Sequence, residues 1–482
     1  MNHTGSAKCA SAPGARASGR HCSAIALAML LSVCASGAGA AGVTLFTHGS
    51  RPPGTEGRPV WLEAMRDAVA DARLDGERIY GEIIVSGFPD PTARVENWLG
   101  GLGDAVHGEA LVLLDWSDVA NHLDNGVAVD QVAAAAVDQL TEGQASYPPL
   151  VELPLHFIGH SRGTPLLTDL ARRLGERGII VDHLTSLDSH PLTTNDPFQP
   201  DPPVLDPPSQ IFGNILFAEN LYQQEAPYPQ GESVAGACNR LFSNLTGGYS
   251  GFAGPHSNTH LLYHGTIDLA TPVDDGEAQL GAAERMAWFN AYESPGGIGG
   301  ARAGFAYSRI ARAADRRATA APVAGGDRPI DGYHADPVLG GAGGRVAVDW
   351  SQAVWPNLVR LELWRDGQRL GPGPVEIIEG VPVEVRYVVF DADSGVSINF
   401  GLDIDRNPYN DNELPPFDFV MHDAAGPQFV AHATTWVPAP LPLDRATYVF
   451  ARISDGPRRR YLYADVDIQF VSRTGVAQWR GY

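Results

Sequence analysis

The stretch LPLHFIGHSRGTPLLTDLARRLGERG, residues 153–178, decides the fold class of this chain. Its first half is a continuous apolar run, which is typical of a buried strand in a parallel sheet. Its second half repeats leucine at helical spacing and stops at Gly178, which predicts a helix. Ser161 stands at the turn between the two, flanked by Gly159 and Gly163, which tolerate sharp backbone reversals. The succession of strand, tight turn and helix indicates an α/β protein.

The surrounding segments alternate in the same way. Strand-like apolar runs occur at 43–47, 80–88, 109–117 and 179–188, and helical periodicity occurs at 58–74 and 129–140. Strands that alternate with helices predict a mostly parallel sheet with helices on both faces.

The pattern changes near residue 345. Four later segments alternate apolar and polar residues with a period of two and are separated by Asp-Gly turns: 358–367, 383–393, 446–456 and 461–471. This pattern predicts an antiparallel, immunoglobulin-like β-sandwich over residues 346–482. The sequence thus divides into a first domain over 42–320, a Gly/Ala-rich linker over 321–345 and the sandwich.

The N-terminal residues 1–41 have the pattern of a signal peptide. Three basic residues precede an apolar stretch over 23–40, which ends in small residues before Ala41. The apolar run is shorter than the ~20 residues of a membrane span, which disfavours an anchor. Lipid attachment at Cys34 is disfavoured because Val33 is bulky. We therefore expect a secreted or periplasmic protein.

The net charge and the cysteine content further restrict the class of protein and its possible partners. The formal net charge is -22, which argues against a nucleic-acid partner, because such proteins need Lys and Arg to neutralise phosphates. Three of the 4 cysteines lie within residues 1–41, so the mature chain keeps only Cys238 and has no internal disulfide.

Ser161 is the candidate nucleophile. A serine hydroxyl needs a histidine base and a carboxylate that orients the base, and in sheets of this kind the chain order is Ser, acid, His. Asp188 ends the strand-like run after the helix and is the preferred acid. Weaker alternatives are Asp115, Asp196 and Asp268.

The base comes from GPHSNTHLLYHGTID, residues 254–268, which contains His256, His260 and His264. Pro255 and the polar residues after it predict a loop and a helix start, and no further metal ligands are identifiable. We therefore expect neither a metal site nor a cofactor. The amides of Arg162 and of Ser50, which follows the first strand in THGS, are candidate donors to an oxyanion.

These motifs resemble the α/β-hydrolase superfamily, and within it secreted lipases of the pancreatic-lipase type. LFTHGS is similar to the family's oxyanion loop, GHSRG to its nucleophile turn, and LTSLDSHP to its acid segment. The resemblance covers residues 43 to about 290 and implies Ser161 as nucleophile, Asp188 as acid and His256 as base. His256 is preferred because it stands seven residues before Tyr263, whereas His260 stands three before it.

Two segments depart from this pattern. The Pro-rich residues 196–208 predict either a surface loop or a lid or wall of the substrate cleft, although they do not resemble a known amphipathic lid. Residues 401–413, GLDIDRNPYNDNE, carry oxygen ligands that calcium accepts, but they lack the glycine of an EF-hand loop, so a polar turn is the preferred interpretation.

The sequence leads to the hypothesis of an exported ester hydrolase of lipase or esterase type, acting on a small-molecule or lipid ester. Two alternatives remain. One is an exported serine peptidase or amidase with the same triad. The other is a non-catalytic envelope-binding protein, whose C-terminal domain contacts an envelope or surface partner. The sequence does not indicate the oligomeric state.

Overall fold

A computed structural model describes most of the chain between residues 42 and 471. The described residues are 42–50, 55, 57–73, 79–99, 109–120, 126–144, 147–197, 203–242, 245–267, 278, 280, 281, 283, 284, 288, 305, 344–371, 374–393, 395–423, 426–439 and 446–471. The predicted signal peptide lies outside them, as do Asp268 and residues 321–343 of the predicted linker. Among the described helices, none is long and apolar enough to cross a membrane.

An eight-stranded, mostly parallel sheet forms the first part of the molecule. Its spatial order is β3-β2-β4-β1-β5-β6-β7-β8, and every neighbouring pair is parallel except β2 and β3. Its strands are β1 Gly42–Thr47, β2 Ile79–Ser86, β3 Thr92–Leu99, β4 Glu109–Asp115, β5 Leu155–His160, β6 Val181–Leu187, β7 Ile215–Gln223 and β8 Cys238–Phe242. Because the parallel strands run the same way, their carboxyl ends meet at one edge of the sheet.

Helices cover both faces of this sheet. The described helices are α1 Val60–Arg73, α2 Ser117–Ala120, α3 Val129–Thr141, α4 Gly163–Glu176 and α5 Gly254–Ile267. Alternate residues of β4 point to opposite faces of the sheet. Val112 and Leu114 pack in one core with α3 and α4. Leu111 and Leu113 pack in the other core with α1 and α5. Burial on both faces explains why the central strands are continuous apolar runs.

Three strands of the sheet were not predicted from the sequence: β3, β7 and β8. Strand β3 is an exposed antiparallel edge strand with several polar residues, so it lacks an apolar run. Strand β8 is short, and strand β7 carries buried polar residues that interrupt its apolar pattern. These polar residues are satisfied across strands: Asn220 accepts a hydrogen bond from Ser186, and Gln223 donates to Asp188.

Two all-β sheets follow and enclose a common apolar core. Their orders are β10-β9-β12-β15 and β11-β17-β16-β13-β14. The strands are β9 Asn357–Arg365, β10 Gln368–Arg369, β11 Pro374–Ile378, β12 Val383–Phe390, β13 Val396–Asp403, β14 Asp418–His422, β15 Phe429–Trp436, β16 Thr447–Asp455 and β17 Arg458–Val471. The prediction of a fully antiparallel arrangement is wrong at one edge, where β11 pairs with β17 in parallel. Strand β11 belongs to the second sheet, although β10 before it and β12 after it both belong to the first. It runs parallel to its neighbour β17.

The all-β part packs against the beginnings of the central strands. Arg460 donates hydrogen bonds to the carbonyls of Leu153 and Ile180, which lie just before β5 and β6. Asn357 accepts a hydrogen bond from the backbone amide of Ile180. Ile180 and Leu216 also share an apolar cluster with Val359, Val388 and Phe390. This contact therefore lies at the opposite edge of the sheet from the carboxyl ends of its strands.

Candidate active site

Ser161 occupies a strained turn between β5 and α4. Its φ is 57°, a left-handed conformation that is uncommon for residues other than glycine. Backbone atoms leave no room for side chains beside it: a Cβ on Gly159 would lie 2.7 Å from the carbonyl oxygen of Gly163, and one on Gly163 would lie 2.6 Å from that of His48. The two glycines therefore permit the tight strand-to-helix reversal that presents Ser161 at the end of β5.

Asp188 and His256 form a buried hydrogen-bonded pair. Asp188 follows β6 directly, and its Oδ2 lies 2.6 Å from Nδ1 of His256, which is in the first turn of α5. Gln223 holds the same carboxyl through its backbone amide and its side-chain amide, both at 2.8 Å. A carboxylate at Asp188 accepts the Nδ1 proton, so the lone pair of the neutral ring lies on Nε2.

Burial governs the protonation of this pair. It lowers the pKa of His256 to about 3, and the charge of His190 adds to that effect. Burial raises the pKa of Asp188 to about 7, against the opposing hydrogen bonds from Gln223. At neutral pH the imidazole is therefore uncharged and able to accept a proton, as a general base must be.

His256 lies next to the turn that carries Ser161. The ring of His160 is 4.5 Å from the ring of His256, and its Nε2 lies 3.1 Å from the backbone carbonyl oxygen of His256. On the other side, the amide of His190 donates to the carbonyl of Ser161 at 3.3 Å, and its ring is 6.3 Å from that of His256. The candidate nucleophile and base thus share two neighbours.

His260, an alternative base, has different surroundings. The ring of His260 stacks on Trp61 at 4.2 Å, and the hydrogen bond to Asp188 comes from His256. All three histidines lie on α5, whereas a loop followed by a helix start was expected. Pro255 does not prevent this helix because it is in the first turn, where a missing N–H breaks no hydrogen bond. Within the described part of the chain, no three His, Cys, Asp or Glu side chains converge as metal ligands would.

The loop after β1 approaches Ser161 directly. A Cβ on Gly49 would lie 2.4 Å from the Cβ of Ser161 and 2.8 Å from its Oγ, so only glycine fits there. Nδ1 of His48 lies 2.7 Å from the carbonyl oxygen of Gly49, which fixes the peptide that joins Gly49 to the exposed Ser50. Because N–H and C=O of a trans peptide point in opposite directions, this hydrogen bond also sets the direction of the Ser50 amide.

Asp115, one of the alternative acids, helps to hold the loop after β1 in place. Its Oδ1 lies 3.4 Å from Nε2 of His48 and accepts the hydroxyl of Ser117 at 2.6 Å. Burial alone would raise the pKa of Asp115, but interactions with His48 and Ser117 outweigh burial and hold it well below its usual value. The carboxylate therefore stays ionised and holds His48 rather than His256.

The side chain of Arg162 forms a buried ion pair with Asp206. Its Nε and Nη2 donate to the two carboxylate oxygens at 2.6 and 2.7 Å, and Nη2 also donates to the carbonyl of Val127 at 3.0 Å. Asp206 further accepts the amides of Val129 and Leu192. The Pro-rich segment is therefore anchored to the turn that carries Ser161. Its residues 198–202 lie outside the described residues.

A second acid–histidine pair beside the site was not identified from the sequence as a functional group. Nε2 of His190 lies 3.1 Å from Oδ1 of Asp196, which also accepts the hydroxyl of Tyr228 at 2.9 Å. Nδ1 of His190 lies 3.1 Å from the carbonyl of Gln230. These contacts join the loop after β6 to the loop after β7. The only sequence signal was the position of His190, two residues after Asp188.

Residues 401–413 form the end of β13 and a polar turn. Asp405 accepts hydrogen bonds from the side-chain amides of Asn410 and Asn412 at 2.7 and 2.6 Å. Burial, with the nearby charge of Asp405, raises the pKa of Asp403 to about 6. Tyr409 donates to Glu152 at 3.0 Å, so this turn contacts the first part of the chain.

A scan against protein-family models and a search of curated proteins both return no match for this chain.

Proposed function

We propose that this protein is a serine hydrolase that cleaves carboxylic esters. The observation that carries the proposal is the buried 2.6 Å hydrogen bond between Asp188 and His256, beside a serine in a strained strand-to-helix turn. In this proposal Ser161 is the nucleophile, His256 the general base and Asp188 the acid that orients it. Catalysis by these groups uses no cofactor.

The reaction proceeds through an acyl-enzyme. Oγ of Ser161 attacks the ester carbonyl carbon while Nε2 of His256 takes the hydroxyl proton. The amides of Ser50 and Arg162 stabilise the resulting oxyanion, and each such donor is worth about 3 kcal/mol in the transition state. His256 then delivers the proton to the leaving alcohol. Water, deprotonated by His256, attacks the acyl-enzyme and releases the carboxylic acid and free Ser161.

The proposal includes the fold family and the location. The mostly parallel sheet and the chain order Ser161, Asp188, His256 support an α/β-hydrolase domain. The two sheets around a common core support an immunoglobulin-like C-terminal domain. Export rests on the pattern of residues 1–41 alone. The substrate is a small-molecule or lipid ester.

A fluorophosphonate probe tests the nucleophile, because it reacts covalently with activated serines. We expect labelling of the full-length protein and none of Ser161→Ala. His256→Gln and His260→Gln are a matched pair on one helix, and only His256→Gln should suppress labelling. A folded protein that the probe does not label, or labelling that survives in Ser161→Ala, would refute the proposal.

A second assay separates ester from amide substrates. The protein is offered p-nitrophenyl esters and aminoacyl p-nitroanilides under the same conditions. We expect hydrolysis of the esters and its loss in Ser161→Ala. Hydrolysis of the anilides alone would replace the esterase assignment with the peptidase alternative.

A further inference from the structure

A cavity of about 350 Å³ opens on the outer face of the four-stranded sheet. Three of its residues, Trp364, Glu384 and Thr435, form a row across β9, β12 and β15, because Glu384 pairs with both of the others. Each of the three has, on one side in the chain, a neighbour that is almost completely buried in the core: Leu363, Val385 and Trp436. Since side chains alternate along a strand, the row of three points away from the core.

The indole of Trp364 is held in a fixed position. Its Nε1 donates to Glu362 at 3.0 Å, and the guanidinium of Arg386 lies 3.9 Å from its ring centroid. Glu384 holds that guanidinium with two hydrogen bonds of 2.9 Å. A ring that is fixed before binding loses little conformational freedom when a ligand packs against it.

The lining has a distinctive chemistry. Trp364 supplies an aromatic surface, Asp366 and Glu384 supply carboxylate acceptors, and Thr435 supplies an exposed hydroxyl that both donates and accepts. The only cation among the lining residues, Arg365, donates to the carbonyl of Glu376. The two cations beside the cavity are engaged by other groups, Arg386 by Glu384 and Arg365 by a backbone carbonyl, which disfavours an anionic ligand, and the polar groups disfavour an acyl chain.

We propose that this cavity is a binding site for a neutral saccharide. A sugar ring has apolar C–H faces that pack on an indole, and its hydroxyl groups donate to carboxylates and exchange hydrogen bonds with a threonine. The cavity volume lies within the usual range of ~300–1,000 Å³ for small-ligand sites. The site is independent of the ester chemistry. It belongs to the part of the chain that packs at the beginnings of the central strands, so a bound sugar leaves Ser161 uncovered.

Native electrophoresis of the full-length protein tests the site, in gels that contain xylan, barley β-glucan or dextran. We expect at least one of these neutral polysaccharides to slow migration, and Trp364→Ala to weaken that effect about tenfold or more, as for a buried aromatic contact. Asp366→Asn is the second variant. Its backbone has a φ of 53°, which asparagine tolerates, so it removes the charge without straining the turn.

Met421→Ala is the control, because it removes an exposed apolar side chain from β14 in the other sheet. It should migrate as the parent protein does, and all variants should keep parental ester hydrolysis. Three results overturn the proposal: no retardation by any of the three polymers, equal retardation of the parent and both pocket variants, or retardation by dextran sulfate alone that salt abolishes.

Discussion

Gly49 has no side chain and lies directly against Ser161. Because an alanine Cβ at Gly49 would overlap both Cβ and Oγ of Ser161, the substitution must displace the nucleophile or the oxyanion loop. We expect Gly49→Ala to lower kcat/KM by about 10²-fold or more, as small misplacements of reacting groups do.

Gly213→Ala is the matched control for this substitution. A Cβ there would meet its nearest atom at 3.7 Å, so the change should leave both activity and stability near parental values. The measurement is steady-state hydrolysis of a p-nitrophenyl ester, together with a thermal melt. Parental kcat/KM in Gly49→Ala would contradict the placement of this loop against the nucleophile.

The pKa values of Asp188 and His256 predict how activity depends on pH. Asp188 must be ionised to stabilise the imidazolium that forms during attack, and burial raises its pKa to about 7. As pH falls through 7 the pair gains a proton, so kcat/KM should fall, with its half-maximal value near that pH. The titration belongs to the pair rather than to either residue.

Asp188→Asn separates the two groups. The variant should lose about 10⁴-fold in kcat, the usual consequence of replacing the acid of a triad by its amide. Its residual activity should show no acid limb between pH 5 and 8, because the pKa of His256 alone is lowered to about 3. A variant that keeps the parental acid limb would show that another group sets it.

At the residue scale, chain order and local motifs were enough to select Ser161, Asp188 and His256 as candidates. They could not show that Asp115 supports His48, or that Asp196 pairs with His190. Hydrogen bonds such as the one between Asp115 and His48 join segments that are far apart in the chain. A single sequence carries no signal for them.

At the scale of elements, the ion pair of Arg162 with Asp206 connects the turn before α4 to the Pro-rich segment. The side chains are 4% and 0% exposed. A lysine provides one ammonium group in place of the planar fork, so it cannot satisfy both oxygens of Asp206 and the carbonyl of Val127. We expect Arg162→Lys to lower the free energy of unfolding by about 2–3 kcal/mol, measured by urea denaturation.

Arg172→Lys is the control for that measurement. Arg172 also pairs with acids, Asp169 and Glu176, but its side chain is 31% exposed on the surface of α4. Exposed pairs contribute about 0–1 kcal/mol, so this change should have little effect. Equal destabilisation by the two substitutions would argue against a special role for the buried pair.

Elements with a strong repeating pattern were predicted well. Helices α1, α3 and α4 and strands β1, β2, β4, β5 and β6 all fall in the expected segments. Strand β7 was not predicted because the polar residues Glu219 and Asn220 interrupt its apolar run. Both are buried in the structure, where they accept hydrogen bonds from β6 that a single sequence does not reveal. Helix α5 begins at Gly254, earlier than expected, because Pro255 and the polar residues after it, which predicted a loop before the helix, lie in its first turns.

At the scale of the whole molecule, the sequence predicted two differently patterned parts, but not how they meet. The described residues of the two parts belong to one compact unit. Arg460 lies at the contact, where it also donates to the side chain of Asn357 and lies 3.9 Å from Asp182. In the sequence, Arg460 is one of three consecutive arginines between two segments predicted as strands, where solvent exposure is the usual expectation. Its burial depends on the packing of the two parts.

This contact predicts that the two parts lose stability together. Arg460→Met removes a cation that is 5% exposed and leaves Asp182 and three further acceptors, two of them backbone carbonyls, without that donor. We expect the free energy of unfolding to fall by about 3–5 kcal/mol, the usual consequence of breaking a buried pair. Calorimetry should show a single transition at lower temperature, since both parts share the lost contact. Arg94→Met is the control, because Arg94 and its partner Glu96 are 52% and 39% exposed, and such a surface pair is worth about 1 kcal/mol or less. Two separate transitions, of which only one shifts in Arg460→Met, would show instead that the parts fold independently.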